Sequence, residues 1–504
     1  MMASCPRSGH FLNFAASSLS KTFLAFAFLC VVFVNALQDA WAVGLENPDP
    51  VTVTPLRGPI GSQPVYKLSQ AINVALQNYP TLRYARAKVQ QTDAGISLAR
   101  TAYLPTFDLL WQELCATNNV IAGTIFPQQL DVIPIQSGIE RHTSNFSSRL
   151  ANNMGANFSW ELYDFGLRHA NVLLAKADRR RSSANVSLTE LDVAAGAGEN
   201  YLATVQEKET IRAQQATVKR MEAWQLIVHT LVDKGLRPGV DAARADSDLS
   251  FARIALIEAE RDTELNRVDL SEAMGIAGRY IGVDDAPWIK RPGKLFNPEA
   301  YDIEQHPLAV LKASAVKVAQ EQVHVWDRTW YPKLYMHSAI FGRGSAWQYG
   351  PKAVAGGLLP QIGNWVAGFS VSFPVASYYP IKAQKRMAAR NEQAERANYD
   401  LAIQILSQKD ARARVLLENA RRIADETPVL VKAARENEIK ALERYKVGLT
   451  NIVEVAEAER ILARAEVEDA QAEVRVWRAI LAVAYAQGNL KPFLDLVLSA
   501  EANN

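Results

Sequence analysis

Cysteine is scarce in this chain, with three in 504 residues, at positions 5, 30 and 115. That count excludes a disulfide framework and any cysteine-rich metal site. Histidine is also sparse, and His306, His324 and His337 are scattered with no His-x-x-x-His spacing, so no zinc centre is predicted. The seven methionines are unclustered, which gives no support for a copper- or silver-specific conduit. Charge of one sign is lacking too: the formal net charge is +2 and both signs are interspersed, which argues against nucleic acid as a partner. Gly342-x-Gly344 lies in a hairpin loop and not between strand and helix, so it is no nucleotide fingerprint. No nucleophile–base pair can be nominated. The chain reads as a non-enzyme with no cofactor and no metal.

Long apolar runs are missing except for one, from Thr22 to Leu37. Arg7 and Lys21 precede it and Ala40-Trp41-Ala42 follows, the pattern of a cleaved leader over 1–42. The run is short for a span of ~20 residues, which disfavours an uncleaved anchor. Cys30 sits inside the run and not at its end, where a lipidation cysteine belongs. Cys5 and Cys30 leave with the leader, and Cys115 alone cannot form an intramolecular disulfide. Export without disulfides points to a helix-rich or barrel-forming envelope protein. Membrane insertion, if any, must use strands.

What the chain has is a copy of itself. Pro80 and Pro105 stand 25 residues apart, as do Pro307 and Pro332, at an offset of 227. Gly235 and Gly275 stand 40 apart, as do Gly448 and Gly488, at an offset of 213. Phe158-Ser159-Trp160 already matches Val371-Ser372-Phe373 at 213, so the length difference of 14 falls between Pro105 and Trp160. The organisation is therefore a leader (1–42), a Pro-rich arm (43–67), repeat 1 (68–275), a linker (276–303), repeat 2 (304–488) and a C-terminal tail (489–504).

Within repeat 1 the periodicity predicts a helix from about Leu68 to Tyr103, interrupted or kinked at Pro80 and ended by Pro105. The period then changes to two. Thr106 to Leu114 is a short apolar run, and Met154, Ala156, Phe158, Trp160 and Leu162 alternate with small or polar residues. Repeat 2 has a partner strand at Lys333–Phe341 and the alternating set Trp365, Ala367, Phe369, Val371 and Phe373. Apolar outside and polar inside is the pattern of a lipid-exposed barrel strand, with Phe158, Trp160, Trp365, Phe369 and Phe373 facing lipid. A half-buried hairpin of a soluble protein is the other reading. Loops of about 115–152 and 343–364 join the strands.

A stretch without proline, Leu167 to Asp233, predicts one helix on the order of 100 Å long. Leu191, Ala195, Gly198, Leu202 and Val205 form a seam at 4, 3, 4, 3 spacing, which marks side-by-side helices. A turn at 234–239 leads into a helix over about Val240–Met274. Repeat 2 matches with a long helix, Ile381–Val447, in which Pro428 predicts a kink, and a helix at Ile452–Gln487. Two short helices stacked end to end would run beside each rod. Four strands per chain cannot close a barrel, so membrane strands would have to be shared between copies, and two, three or four copies all remain open.

The duplicated unit, together with Lys234-Gly235-Leu236 and Asp241, and Tyr445 to Val455 around Gly448-Leu449-Thr450, resembles the outer-membrane efflux proteins, the TolC-type channel-tunnels of Gram-negative bacteria. The resemblance covers about residues 66–490. It implies a mainly α fold with transmembrane β structure: a homotrimer whose four strands per chain make a twelve-stranded barrel, continuous with a long-helix α-barrel in the periplasm. It also implies a passive exit duct in outer-membrane lipid that docks to a periplasmic adaptor (membrane fusion) protein and an inner-membrane RND or ABC transporter. A coiled-coil scaffold without a pore is the alternative from another class.

The resemblance carries over to residues one at a time. Gly235, Leu236, Gly448 and Leu449 match the tip that adaptors grip, where glycine permits a left-handed turn and an exposed leucine offers an anchor. Glu454 and Glu457 match the acidic entrance constriction, and three copies would gather six carboxylates whose repulsion raises pKa values. Asp241 and Tyr445 match closed-state contacts. Thr450 stands where some members have an arginine, so one ionic bond of that lock is expected to be missing.

Overall fold

The computed structural model describes residues 64–117, 148–290, 301–345 and 362–502. The leader, most of the Pro-rich arm, the middles of both strand-joining loops and part of the linker lie outside the described residues.

The predicted kinked helix at Pro80 is two helices, α1 (Leu68–Asn78) and α2 (Pro80–Thr101). Proline disfavours the helical region for the residue before it, and Tyr79 is extended at φ −64°, ψ 124°. Repeat 2 makes the same corner: His306 is extended before Pro307, which opens α5 (Pro307–Arg328). There the His306 Nδ1 caps the helix by accepting from the Leu308 N–H at 3.0 Å.

The rods are α3 (Leu167–Asp233), with 67 residues, and α6 (Tyr378–Lys446), with 69. α6 stays helical through Pro428. The two shorter return helices are α4 (Gly239–Ala273) and α7 (Ile452–Ala486), each of 35 residues. α2 and α4 both pack along α3, and α5 and α7 both pack along α6 and also against α3. The predicted columns are therefore present, and the second column is wedged between the two rods.

The four glycines whose spacing exposed the repeat end these helices alike. Gly235, Gly275, Gly448 and Gly488 have φ of 70°, 70°, 81° and 74°. Each bonds to the carbonyl three residues back while its successor bonds five back, as in Gly235 N to Val232 O and Leu236 N to Leu231 O. Gly275 sits against the Tyr79 corner and Gly488 against His306 and Pro307. These two contacts are where α4 meets α2 and α7 meets α5 end to end.

Buried positions on α6 change period along its length. Ala402, Ala413 and Ala424 recur every 11 residues, with Leu406 and Leu417 beside them, whereas Ala434, Glu438, Ala441 and Tyr445 follow a heptad. Eleven residues in three turns keep a stripe nearly straight, while seven in two impose left-handed supercoiling. The change of period is confined to α6, since the strand-proximal end of α3 keeps a seven-residue spacing at Ala170, Ala177, Ala184 and Leu191.

The described residues of the expected linker and tail pack against the middle of α3 and the start of α1. β1 (Val65–Tyr66) pairs in parallel with β4 (Gly282–Val283). Trp288 and Trp477 pack edge to face at 5.1 Å, and Tyr201, midway along α3, contacts Trp288 at 6.2 Å. All three are buried, and their polar tips are satisfied, with Trp477 Nε1 donating to Lys290 O at 3.0 Å. α8 (Lys491–Ala502) buries Phe493 and Val497 there, and its Glu501 accepts from Ser69 N at 3.1 Å and Ser69 Oγ at 2.6 Å.

The remaining strands, β2 (Thr106–Thr117), β3 (Ser148–Tyr163), β5 (Lys333–Ser345) and β6 (Ile362–Ser372), form one antiparallel sheet in the order β2-β3-β5-β6. Register places Phe107 opposite Phe158, Trp160 opposite Met336, and Ile340 opposite Trp365, all on one face. That face is bare: Ile340 is 70% exposed, Phe369 71% and Trp365 79%. The other face is polar, with His337 bonded to Ser159 Oγ at 3.3 Å and to Ser370 Oγ at 2.9 Å. One correction applies to the alternation. A bulge between Glu161 and Tyr163 pairs Tyr163 with Leu334, so Tyr163 and not Leu162 continues the outward row. Phe158 is half-buried among its strand neighbours, and Phe373, just past β6, packs on Trp330 at 5.1 Å.

A Cβ at Gly275 would lie 2.9 Å from Asn78 backbone and one at Gly488 2.7 Å from the Pro307 ring, whereas Gly235 has open space. Gly275→Ala and Gly488→Ala should therefore each cost about 1–3 kcal/mol more than Gly235→Ala, which carries left-handed strain alone. Equal apparent melting temperatures for the three variants would contradict this stacking.

Candidate functional site at the helical tip

The candidate residues converge at the turns farthest from the sheet. Leu236 and Leu449, 66% and 69% exposed, follow the left-handed glycines and point into solvent beside exposed Val240 and Val447. Tyr445, at the end of α6, is fully buried and donates its hydroxyl to Asp241 Oδ2 at 2.8 Å, joining the second rod to α4. Burial and the Asp241 carboxylate push the Tyr445 phenol upward, so it stays a donor over the physiological range. Trp224 of α3 packs edge-on against the Tyr445 ring at 5.0 Å.

A cation from the other turn also reaches Tyr445. Arg237 lies over the Tyr445 ring at 4.1 Å and donates through Nη2 to the Tyr445 carbonyl. Sequence reading missed Arg237, although its place one residue after Gly235-Leu236 was a signal. Arg237, Asp241 and Tyr445 thus tie the two halves of the chain together.

Glu454 and Glu457 stand exposed on the first turns of α7, each beside an arginine. Arg444 Nη1 reaches Glu454 Oε1 at 3.1 Å, Thr450 Oγ1 bonds to the other oxygen, and Asn451 Oδ1 caps the Glu454 N–H at 3.1 Å. Arg460 Nη2 lies 2.7 Å from Glu457 Oε1. Its guanidinium holds the Glu457 carboxyl below the usual range, opposite to the rise expected from a ring of carboxylates. Within one protomer the neighbouring arginine decides the sign.

Behind these surface pairs lies an ionic cluster that sequence reading also missed. Glu438 of α6 and Glu459 of α7 are both buried. Arg220 of α3 approaches Glu459 at 3.5 Å and Glu466 at 2.8 Å, and Arg435 pairs with Glu466 at 3.0 Å. The signal was a carboxylate on an apolar seam, since Glu459 stands among Ile452, Val455 and Leu462. Burial, and then the nearby Glu438 carboxylate, push Glu459 well above the ordinary carboxylate range.

The sequence model of the family described as "Outer membrane efflux protein" matches residues 71–276, which is repeat 1. Protein CyaE of Bordetella pertussis is 26% identical over 296 residues, which cover 53% of this chain and 52% of that protein. The chain thus matches about half the length of that curated relative. The fold is similar to the outer-membrane channel OprN at a TM-score of 0.67 and 18% identity, covering 84% of this chain and 90% of that one. It is likewise similar to the CmeC outer membrane channel of Campylobacter jejuni, at a TM-score of 0.66 and 18% identity over 84% and 85% of the two chains.

Two outcomes follow for the tip. Tyr445→Phe strands the buried Asp241 carboxylate and should cost about 1–3 kcal/mol, read as faster amide exchange in both tip turns; unchanged exchange would make the bond incidental. A carboxyl raised in the fold holds its proton more tightly there than in the unfolded chain, so its contribution declines as pH climbs into the neutral range. Glu459→Gln should therefore raise the melting temperature at pH 8 more than at pH 5, and the reverse order would contradict the upward shift of Glu459. Family model in the first repeat and channel fold over the described length together show the resemblance of this chain to the outer-membrane efflux proteins.

Proposed function

We propose that this chain is the outer-membrane exit duct of a tripartite efflux or secretion system, acting as a passive homotrimer. The observation that carries this reading is the four-stranded sheet. One face is apolar and uncovered, the other is polar, and β2 and β6 each have one unpaired edge. Three copies joined edge to edge would close a twelve-stranded barrel in lipid, with the polar face lining a pore. The rods below would form the periplasmic tunnel. A soluble coiled-coil scaffold is disfavoured, because it would leave this apolar patch and both edges in water.

The tip supplies the other functions. Leu236 and Leu449 anchor a periplasmic adaptor, which couples the duct to an RND or ABC pump in the inner membrane. Glu454 and Glu457 ring the entrance and favour cations there. Cargo passes through without chemical change, and neither a cofactor nor a resident metal takes part.

In planar bilayers the purified protein should conduct. Glu454→Gln with Glu457→Gln should weaken cation selectivity, and unchanged selectivity would remove the ring. Leu236→Ser with Leu449→Ser should abolish transport in cells while trimers persist on gels. Normal transport would place adaptor docking elsewhere, and an electrically silent, detergent-independent protein would return the scaffold reading.

A further inference from the structure

The two end-to-end joints between helices are built differently. The corner residue before the proline is Tyr79 in repeat 1 and His306 in repeat 2, at the offset of 227 that relates Pro80 to Pro307. Tyr79 gives α2 no side-chain cap, and its hydroxyl donates to Glu272 Oε1 of α4 at 3.3 Å. His306 makes two bonds at once. Its Nδ1 accepts from the Leu308 N–H at 3.0 Å, which caps α5, and its Nε2 lies 3.3 Å from the Tyr485 carbonyl near the end of α7.

These two partners fix the protonation state of the ring. A backbone N–H can only donate, so Nδ1 must be bare, and a carbonyl can only accept, so Nε2 must carry the hydrogen. The neutral imidazole with its hydrogen on Nε2 fits both. An imidazolium has hydrogens on both nitrogens, and its Nδ1–H would face the Leu308 N–H, donor against donor. The ring is also buried, and Gly488 lets the end of α7 press on it, since a Cβ there would lie 2.7 Å from the His306 Cδ2.

The surrounding charges do not offset this. Asp192 of α3 and Lys409 of α6 act on the ring in opposite directions. Both are engaged by Tyr485 of α7, whose hydroxyl donates to Asp192 Oδ1 at 2.9 Å and whose ring lies 5.6 Å from the Lys409 ammonium. Burial and Asp192 push the Tyr485 phenol up to about 12, so it keeps its proton and its hold on Asp192. On the segment of His306 itself, Asp302 accepts from the Glu304 N–H at 3.0 Å and from Gln305 Nε2 at 3.2 Å, and Glu304 is exposed. Burial therefore decides, and it holds the His306 imidazole below its ordinary value. Such a base binds its proton less readily in the fold than in the unfolded chain. The joint's contribution is complete above about pH 6.5 and declines as pH falls from there.

We propose that His306 makes the joint between α5 and α7 an acid-operated release: a proton from solvent enters at Nδ1, the Leu308 N–H loses its acceptor, and the first turn of α5 comes free of the end of α7. The Tyr79 joint has no imidazole, and burial and Glu272 push its phenol upward, so it does not titrate in the acid range. Acid therefore loosens the second column and not the first. The device works in the same way whether the chain is a duct or a scaffold.

Amide hydrogen exchange of the full-length protein, read by mass spectrometry at pH 7.5 and pH 5.0 and corrected for the intrinsic rate, tests this. Protection over residues 308–314 should fall about fivefold at the lower pH, the loss of one N-cap, while residues 81–87 keep theirs. His306→Asn, which can cap without titrating, should hold protection at pH 7.5 and lose the pH dependence. An equal fall at both joints, no fall in the wild type, or a pH dependence that survives His306→Asn overturns the release. Should that variant fail to fold, slow exchange of the His306 ring C–H in the wild-type protein reports its titration directly. A midpoint below about 6.5 is expected, and one at or above it overturns the release.

Discussion

The two unpaired edges of the four-stranded sheet set the terms for everything else. An unbonded backbone N–H or C=O away from water costs several kcal/mol, and each edge strand presents a row of them. Among the described residues the order is β2-β3-β5-β6, with β6 not returning to β2. On the function proposed above, closure belongs to an assembly and not to the fold of one copy. The duplication serves this end, because each repeat delivers one hairpin to the sheet and one rod with its column below it. The sheet widens by two strands for every two helical columns, so strands and columns keep the same count.

Rods of this length need lateral support at every turn. The seams of α6 and α7 are rich in alanine, including Ala402, Ala413, Ala424, Ala465 and Ala472, which lets helices lie close without large side chains. On α6 the 11-residue stripe gives way to a heptad stripe toward the tip. At that lower end polar contacts are set into an apolar cluster that includes Met221, Trp224, Leu249 and Val455. Asp241, Tyr445 and Arg237 form one latch, and Arg220, Glu438, Glu459, Arg435 and Glu466 form a second cluster above it. Polar contacts are direction-dependent and lose more when displaced than alanine seams do.

At the strand–helix corner Asp164 and Arg168 bind the end of β3 to the start of α3. This corner lets a sheet with one bare apolar face pass directly into a helix that packs against helices, with left-handed backbone at Phe165 and Gly166 absorbing the turn. A short polar knot at this junction costs little, since its carboxylate and guanidinium satisfy each other and the local carbonyls.

Sequence alone determined the elements. Hydrophobic period separated strands from helices, the absence of proline set α3 at Leu167–Asp233, and duplicated Pro and Gly positions revealed the repeat, because these residues act through local backbone geometry. The pairing of Asp241 with Tyr445 was accessible only through resemblance. Tertiary structure decided what depends on residues distant in the chain. It divided the first helix at Tyr79 and folded the expected tail onto Ser69. It moved the outward row from Leu162 to Tyr163, brought Arg237 across to Tyr445, and placed an arginine beside each of Glu454 and Glu457. Pro80 and the place of Arg237 after Gly235-Leu236 were signals in the sequence, but the partners were set by which surfaces meet after the rods have packed.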